Sequence, residues 1–378
     1  MKAVALENVE TMAVRSVPDP SVAPHEVLIR VRAVGVCGTD LHLYQGHANY
    51  NLDAAHRAIP LSVEPQILGH EFAGEILETG RAVEDLRLSD RVLCDQGRNC
   101  HSQERQPACP YCISGDSHQC RFYREHGITG LQGAMAEFIA MPAVNCLKVA
   151  DGMTFEQAAL VEPFGCVLHS SERAERASAR FTFDGPERIN SVLIFGAGPA
   201  GLLFLQYLRS VKRFDGLIVI SDLREKNLEL ARRFGGTPVN APRENVVDAV
   251  ADLTSGEGVE YLIESCGNAA VFELIPALLR KQGTILLYGT GHKGRDVGVL
   301  AQVLFLEPTL VVGIGASGGF DADRRPSTYR RALELTREGK VQALPFVTHR
   351  YNALDEIHRA FEQDFNRPEY IKGLLTLA

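Results

Sequence analysis

Hydrophobic and polar positions follow two different patterns along the chain. Up to about residue 90 the apolar positions form short alternating runs, such as residues 27–34, separated by prolines and glycines. Such runs are typical of strands that bury one face. Further on, continuous apolar runs alternate with helical stretches; these runs are residues 191–195, 217–220, 261–267, 283–289 and 310–313. The pattern predicts a strand-rich, partly closed β-barrel followed by a doubly wound parallel sheet, which is an α/β fold.

Length and charge limit the class of protein. A chain of 378 residues exceeds what one hydrophobic core usually supports, so two domains are expected. The net charge is −8 and no block dense in lysine or arginine occurs, which argues against nucleic acid as the partner. The first residues lack the apolar core of a signal peptide, and glycines interrupt the longest apolar run. We therefore expect no membrane association and a cytoplasmic location.

Candidate metal ligands lie in three separate segments. His70 and Glu71 follow Gly69, Cys37 lies about thirty residues upstream, and Glu162 follows a predicted helix over residues 154–160. A thiolate, an imidazole and carboxylates are ligands that suit zinc. Each residue alone is also explained without a metal, since a buried histidine can bind a carbonyl and a cysteine can pack as a small apolar residue. Two further signals in the chain favour the metal.

Four of the nine cysteines form the first of these signals. They are spaced C-x8-C-x2-C-x7-C and are Cys100, Cys109, Cys112 and Cys120. Four thiolates from one short polar loop suit a closed tetrahedral zinc site of structural type. Disulfides are the competing interpretation, and the missing secretory signal disfavours them.

The second signal is a glycine-rich turn between a buried strand and a helix. Such glycines let the backbone approach a pyrophosphate that the helix N-terminus holds. Asp222 ends the next strand about twenty residues later, where a carboxylate would bind an adenosine ribose and repel a 2′-phosphate. NAD is therefore favoured over NADP, although Arg224 could weaken the preference, and Asp222 could instead be a helix N-cap. The predicted dinucleotide-binding residues are Gly196, Gly198, Pro199, Ala200, Gly201, Asp222 and Arg224.

Together these motifs resemble the zinc-dependent medium-chain alcohol and polyol dehydrogenases nearly end to end. Glu162-Pro163 stands where the alcohol dehydrogenases of that family have a cysteine ligand, so the sequence is most similar to the sorbitol and threonine dehydrogenase branch. The resemblance implies a GroES-like catalytic domain and a Rossmann NAD-binding domain. Their expected bounds are 1–163, completed by 316–378, and 164–315.

The resemblance also implies roles for individual residues. Cys37, His70 and either Glu71 or Glu162 would bind a catalytic zinc, and the four clustered cysteines a structural zinc. In the family, a proton passes from the residue at Thr39 through the cofactor ribose to the residue at His42. The first cysteine gap is normally two residues there, so this chain carries an insertion of six. Dimers and tetramers are the assemblies that the family implies.

The function expected from the sequence is hydride transfer from a secondary alcohol to NAD. The substrate would be a polyol, sugar, cyclitol or threonine-like alcohol. A zinc-independent quinone-reductase-like enzyme is one alternative, but it would lack ligands at Cys37, His70 and Glu162. A catalytically inactive dinucleotide-binding or structural protein is the other, and it would bind dinucleotide without turnover.

Overall fold

The strands form where apolar residues alternate or run continuously. The computed structural model describes residues 1–290, 303–316 and 318–378. Its strands are β1 (Lys2–Asn8), β2 (Thr11–Ser16), β3 (Glu26–Val36), β4 (Gln66–Ile67), β5 (Glu71–Thr79), β6 (Arg91–Cys94), β7 (Gly97–Arg98), β8 (Arg124–Glu125), β9 (Phe138–Pro142), β10 (Cys146–Lys148), β11 (Ser191–Phe195), β12 (Leu217–Asp222), β13 (Thr237–Asn240), β14 (Val259–Glu264), β15 (Leu279–Leu287), β16 (Thr309–Val312), β17 (Val347–Tyr351) and β18 (Lys372–Thr376).

The helices are mostly short, and the longest follows a tight turn. The α-helices are α1 (Gly38–Tyr44), α2 (Pro110–Ile113), α3 (Phe155–Ala159), α4 (Val161–Glu175), α5 (Pro199–Gln206), α6 (Glu225–Arg233), α7 (Val246–Leu253), α8 (Ile275–Leu278) and α9 (Ser327–Arg337). Short 3₁₀ segments cover Ser117–Gln119, Ala143–Asn145, Ala269–Glu273, Leu304–Leu306, Leu344–Phe346 and Leu354–Glu356, and π-helical segments cover Tyr207–Val211 and Ala360–Asp364.

The chain divides into two compact units. Unit 1 consists of Met1–Gly165, Ala316–Arg337 and Ala343–Ala378, and unit 2 of Cys166–Gly315 and Glu338–Gln342. The bounds of independently folding domains given above stay a prediction, because compactness alone does not show that a segment folds by itself.

Unit 1 is built on a mixed sheet in which β3 is central. The strand order is β10-β6-β5-β3-β18-β17, with β9 also paired to β3, and a second sheet has the order β2-β1-β4. In β3 the side chains of Val27, Ile29 and Val31 are buried, whereas Arg30 between them is exposed. This alternation buries one face in an apolar core that also contains Phe72.

Unit 2 contains a six-stranded parallel sheet. Its order is β13-β12-β11-β14-β15-β16, so the chain reverses direction across the sheet at β11. All five residues of β11 are buried, as expected of a strand covered on both faces. Ligands of such sheets bind beyond the carboxyl ends of the strands at this reversal point. The predicted fold class is confirmed.

A buried carboxylate fixes the start of β11. Glu260 Oε2 accepts hydrogen bonds from the backbone N–H of Ser191 at 2.9 Å and from its hydroxyl at 2.7 Å, while Arg280 donates to Oε1 at 2.8 Å. Burial raises the pKa of Glu260, but these donors outweigh it and lower the pKa overall. The charge therefore stabilises the fold above the usual pKa of 4.5, and this stabilisation is lost as the pH falls below it.

We predict that Glu260→Gln weakens the attachment of β11. Replacing a charged acceptor of several hydrogen bonds costs about 2 kcal/mol, so the amides of β11 should exchange with solvent about 30-fold faster at pH 7. Hydrogen–deuterium exchange of the peptide that covers β11 measures this. Glu257→Gln is the matched control, because Glu257 binds the same arginine at 3.3 Å but is 66% exposed. Equal protection in both variants would contradict the prediction.

Candidate functional site

Two separated segments of unit 1 bring three candidate metal ligands together. Cys37 follows β3 and is the N-cap residue of α1, whereas Glu71 begins β5 and His70 directly precedes it. One ligand atom from each of the three lies within 4.8 Å of the others, and His70 and Glu71 are buried. The thiolate, imidazole and carboxylate groups suit zinc, so this donor set fits the metal predicted from the sequence.

Backbone hydrogen bonds from a segment that is distant in sequence hold the loop that carries His70. The N–H of Ala134 donates to the carbonyl of Gly69 at 2.8 Å, and the N–H of Met135 donates to that of Leu68 at 2.9 Å. Gly69 has a φ of +93°, a conformation that L side chains rarely adopt. A Cβ there would also lie 2.9 Å from a methyl carbon of Val34. The turn before His70 therefore requires glycine.

Asp40 connects both ligand segments. Its Oδ2 accepts the N–H of Cys37 at 2.9 Å, and its Oδ1 accepts the N–H of Gly69 at 3.2 Å and lies 3.4 Å from His70 Nδ1. An imidazole that turns Nδ1 toward a carboxylate leaves Nε2 for a metal. Asp40 was not identified as a site residue from the sequence. Its position three residues after the ligand, on the first turn of α1, is the signal that could have identified it.

The buried charges around this group influence one another. Burial lowers the pKa of His70, but Asp40 and Cys37 outweigh burial and raise the pKa overall. Lys372 Nζ lies 2.6 Å from Glu71 Oε1, and both side chains are buried. Burial lowers the pKa of Lys372 as well, yet the negative charges of Glu71 and Cys37 raise it overall. Lys372 therefore remains a cation next to the candidate metal site.

Glu162 lies outside the three-residue group among the described residues. It is in the first turn of α4, because the predicted helix over 154–160 ends with α3 and a new helix begins at Val161. Its Oε1 accepts a hydrogen bond from Gln96 Nε2 at 3.0 Å. The hydroxyl of Tyr329 donates to the oxygen of the same amide. Gln96 and Tyr329 were not identified from the sequence, because nothing in their local pattern distinguishes them.

A further carboxylate missed from the sequence is Glu125, at the end of β8. The hydroxyl of Tyr123 donates to it at 3.0 Å, and the side chain also interacts with Gln96 and with the charge of His70. Burial raises the pKa of Glu125, and these interactions only partly offset it. Gln96, Glu125 and Glu162 thus form a connected polar group, which we call the polar wall.

Thr39 and His42 both lie on α1. Cys37 Sγ is 3.8 Å from Thr39 Oγ1. The ring centroids of His42 and His47 are 6.0 Å apart. Residues three apart on a helix lie on neighbouring turns of one face, so Thr39 and His42 share a face of α1.

The four clustered cysteines meet in a second group. Their sulfur atoms lie within 4.8 Å of one another, and all four residues are buried. Cys100 is part of the group despite the insertion after it, because the N–H of Cys109 donates to Cys100 Sγ at 3.3 Å. Across the group, Cys100 and Cys109 lie 3.6 and 3.8 Å from the sulfur of Cys120. This arrangement fits a tetrahedral metal site with four thiolates.

The thiols of this group differ in their readiness to ionise. Burial raises the pKa of Cys109, but N–H donors from Arg121 and Cys112 outweigh it and lower the pKa to about 6. Burial raises the pKa values of Cys112 and Cys120. Four neighbouring thiolates repel one another, so full ionisation requires a cation such as zinc at their centre.

The glycine-rich turn of unit 2 joins β11 to α5. Gly196 has a φ of +94°, and Gly198 is the N-cap residue before Pro199. A Cβ on Gly201 would lie 1.8 Å from the carbonyl oxygen of Gly196, so the turn and the helix pack too closely for any side chain. Among the described residues, and apart from the two chain neighbours of Gly198, no heavy atom lies within 4 Å of a Cβ built on it, so this part of the chain leaves room for a phosphate at the helix N-terminus.

Asp222 lies at the carboxyl end of β12, beside this turn. Its Oδ2 accepts the N–H of Ala197 at 2.7 Å, and its Oδ1 accepts the N–H of Arg224 at 2.8 Å. The N-cap residue of α6 is Arg224 and not Asp222. The carboxylate therefore joins the two loops at the reversal point of the sheet, where a dinucleotide ribose binds in this type of fold.

Within the described parts of the chain, helices long and apolar enough to cross a bilayer are absent.

Comparison with known proteins identifies the family. Residues 23–151 match the profile of the alcohol dehydrogenase GroES-like domain, and residues 155–377 match that of the glucose dehydrogenase C-terminus. The chain is 30% identical to L-threonine 3-dehydrogenase of Burkholderia multivorans over 96% of its length and 95% of the relative. It is 28% identical to sorbitol dehydrogenase of Bacillus subtilis over 96% of its length and 93% of the relative.

Solved structures agree with this assignment. A zinc-binding dehydrogenase from Sinorhizobium meliloti, solved with NADP, superposes with a TM-score of 0.80 at 27% identity and covers 99% of this chain and 98% of its own. An alcohol dehydrogenase from a Thermus species gives a TM-score of 0.76 at 27% identity, with both chains fully covered. The chain therefore belongs to the zinc-dependent medium-chain alcohol and polyol dehydrogenases, an oxidoreductase family that uses a nicotinamide cofactor.

Proposed function

We propose that this enzyme oxidises a secondary alcohol of a substrate with several polar groups, a polyol, sugar, cyclitol or threonine-like compound, and passes the hydride to NAD. The observation that supports this most is the convergence of Cys37, His70 and Glu71 in one buried group. Relatives named for threonine and sorbitol support the same class of substrate.

We assign the catalytic zinc to Cys37, His70 and Glu71, and the structural zinc to the four clustered cysteines. Three protein ligands leave one coordination position for the substrate oxygen, which is the arrangement of catalytic zinc sites. Glu162 is then a neighbour that binds Gln96 rather than a ligand. When bound, zinc supplies Lewis-acid polarisation of the alcohol oxygen, and the nicotinamide supplies the hydride acceptor.

The protein's own residues handle orientation and the proton. Asp40 holds the imidazole of His70 and the backbone of Cys37, so that both ligands keep their direction. We assign Thr39 as the acceptor of the alcohol proton, because its hydroxyl lies beside Cys37 Sγ at 3.8 Å. As it accepts this proton, the hydroxyl of Thr39 passes its own proton on, and His42, one turn further along α1, releases a proton to solvent.

We predict that the two metals can be removed separately. Cys37→Ser should lose one zinc equivalent and reduce turnover to background, while the melting temperature changes little. Cys112→Ser should lose the other equivalent and lower the melting temperature, because the cysteine loop has few other buried apolar contacts. Elemental analysis beside a turnover assay measures both. The control Cys266→Ser alters an exposed cysteine and should keep both metals. Full turnover in a Cys37→Ser protein that lacks zinc would contradict the assignment.

The polar wall supports a substrate with several hydroxyl groups. Carboxylates and an amide beside the metal group can accept and donate hydrogen bonds to a second hydroxyl of the substrate. A site built to bind a hydroxyl rejects analogues that lack it, because its buried polar groups then remain unpaired. Simple secondary alcohols should therefore be poor substrates.

We predict that Glu125→Gln lowers kcat/KM for the preferred polyol or sugar by about 10- to 100-fold, the value of a hydrogen bond to a charged group. The same change should hardly affect 2-propanol, which has no second hydroxyl. Steady-state assays with both alcohols measure the difference, and Glu104→Gln, at a carboxylate that is 57% exposed, is the control. An equal loss for both alcohols would show that Glu125 does not contact the substrate.

We propose NAD rather than NADP as the cofactor because of the carboxylate at Asp222. We predict that Asp222→Ser narrows the NAD-to-NADP ratio of kcat/KM by about 10- to 100-fold, since it removes a charged acceptor for the ribose and the repulsion of a 2′-phosphate. Arg224→Ala should widen the ratio. A wild-type enzyme that uses both cofactors equally would contradict the proposal.

We further propose a cytoplasmic homodimer or homotetramer. The described chain contains all nine cysteines and no disulfide, as is usual in a reducing compartment. β16 is an edge of the described sheet and exposes Leu310 and Val312, so it offers an unpaired edge to a second copy. The mass in solution tests the assembly.

A further inference from the structure

The ion pair between Lys372 and Glu71 is unusual because both groups are almost completely buried. Nζ and Oε1 are 2.6 Å apart, and the side chains are 5% and 0% exposed. Buried lysines are rare unless paired, and such a pair is costly to form. Hydrophobic residues in the same place would stabilise the fold at least as well, so the pair calls for an explanation beyond stability.

The sheet brings these two residues together across an intervening strand. β5 and β18 both flank β3; Gly35 of β3 is paired with Glu71 on one side and with Leu374 on the other. A Cβ on Gly35 would lie 2.0 Å from Glu71 Oε2. Gly35 is thus required for space and not for its backbone conformation. The carboxylate lies over this glycine and reaches the lysine of the far strand.

The two oxygens of Glu71 have different surroundings. Oε1 binds Lys372, whereas Oε2 is buried and makes no hydrogen bond within the described chain. A buried carboxylate oxygen without a partner is costly. Cys37 and His70 offer ligand atoms within 4.8 Å of the carboxylate, so a cation bound there would satisfy Oε2.

A carboxylate can bind a metal through one oxygen or through both. If both oxygens of Glu71 bound, they would fill the position that a catalytic zinc keeps open for the substrate. An ammonium group fixed on Oε1 prevents this, and it also offsets part of the negative charge of the thiolate and carboxylate ligands.

We propose that Lys372 is a positioning residue that holds Glu71 to one-oxygen coordination and so keeps one position on the catalytic metal free for the substrate. The inference rests on the proposed function, because it requires a metal at Cys37, His70 and Glu71. Gly35 contributes to the same arrangement, because the absence of a side chain there leaves the Glu71 carboxylate room to reach the lysine.

The test uses the full-length enzyme with cobalt(II) at the catalytic position and zinc retained at the four cysteines. The visible absorption of cobalt depends on its ligands, so it shows whether an added alcohol can bind to the metal. Lys372→Met should abolish the spectral change that an added alcohol causes, because both oxygens of Glu71 then occupy the metal. Its kcat/KM should fall at least 10-fold. Lys372→Arg, which retains a cation, should restore a large part of the spectral response to alcohol and of kcat/KM. Lys148→Met removes a half-exposed lysine that binds Asp90 at 2.8 Å and should behave as wild type.

Gly35→Ala keeps the test decisive if Lys372→Met does not fold. The added methyl displaces the Glu71 carboxylate without changing any charge, so the same loss of the spectral response to alcohol is expected. A spectral response to alcohol that persists in the folded variants would overturn the role of Lys372, and so would a loss that arginine does not restore. Wild-type protein without a thiolate-to-cobalt band from Cys37 would instead overturn the metal site itself, and with it the proposed function.

Discussion

The candidate active site depends on one buried carboxylate. Asp40 accepts backbone N–H groups from the two segments that carry the ligands and lies beside the imidazole of His70. Hydrogen bonds to a charged group are worth about 1.5–3 kcal/mol each, which offsets the burial of the carboxylate. β3 and β5 already pair next to the site, through Gly35 and Glu71, and Asp40 adds a link between the two loops that carry Cys37 and His70. The direction of both candidate ligands therefore depends on Asp40.

Motifs with local spacing could be predicted from the sequence. The glycine-rich turn and the cysteine cluster each combine residue types within about twenty positions, and their chemistry follows from that combination. The family and the fold class inferred from them are confirmed. The choice between Glu71 and Glu162 could not be made in this way. It depends on the break between α3 and α4, which determines where Glu162 lies. It also depends on where β5 begins, because this determines how deeply Glu71 is buried.

Contacts between distant positions were not accessible from the sequence. Lys372 is 301 positions from Glu71, and Tyr329 is 233 positions from Gln96. A lysine at the start of a strand and a tyrosine on a helix are ordinary residues in any local pattern. Their roles arise only when the sheet places β18 beside β3 and α9 near the segment after β6. Glu125 was missed for the same reason, because its proximity to His70 is a property of the fold.

The eight residues between Cys100 and Cys109 form a loop whose two ends are held together. The N–H of Cys109 reaches the sulfur of Cys100, and the N–H of Arg105 binds the carbonyl of Cys100 at 2.9 Å. Because the ends are fixed, lengthening the loop costs only a slowly growing closure entropy. The loop can therefore change in length without separating the four sulfur atoms, as long as the fully buried Ser102 near its start keeps its place.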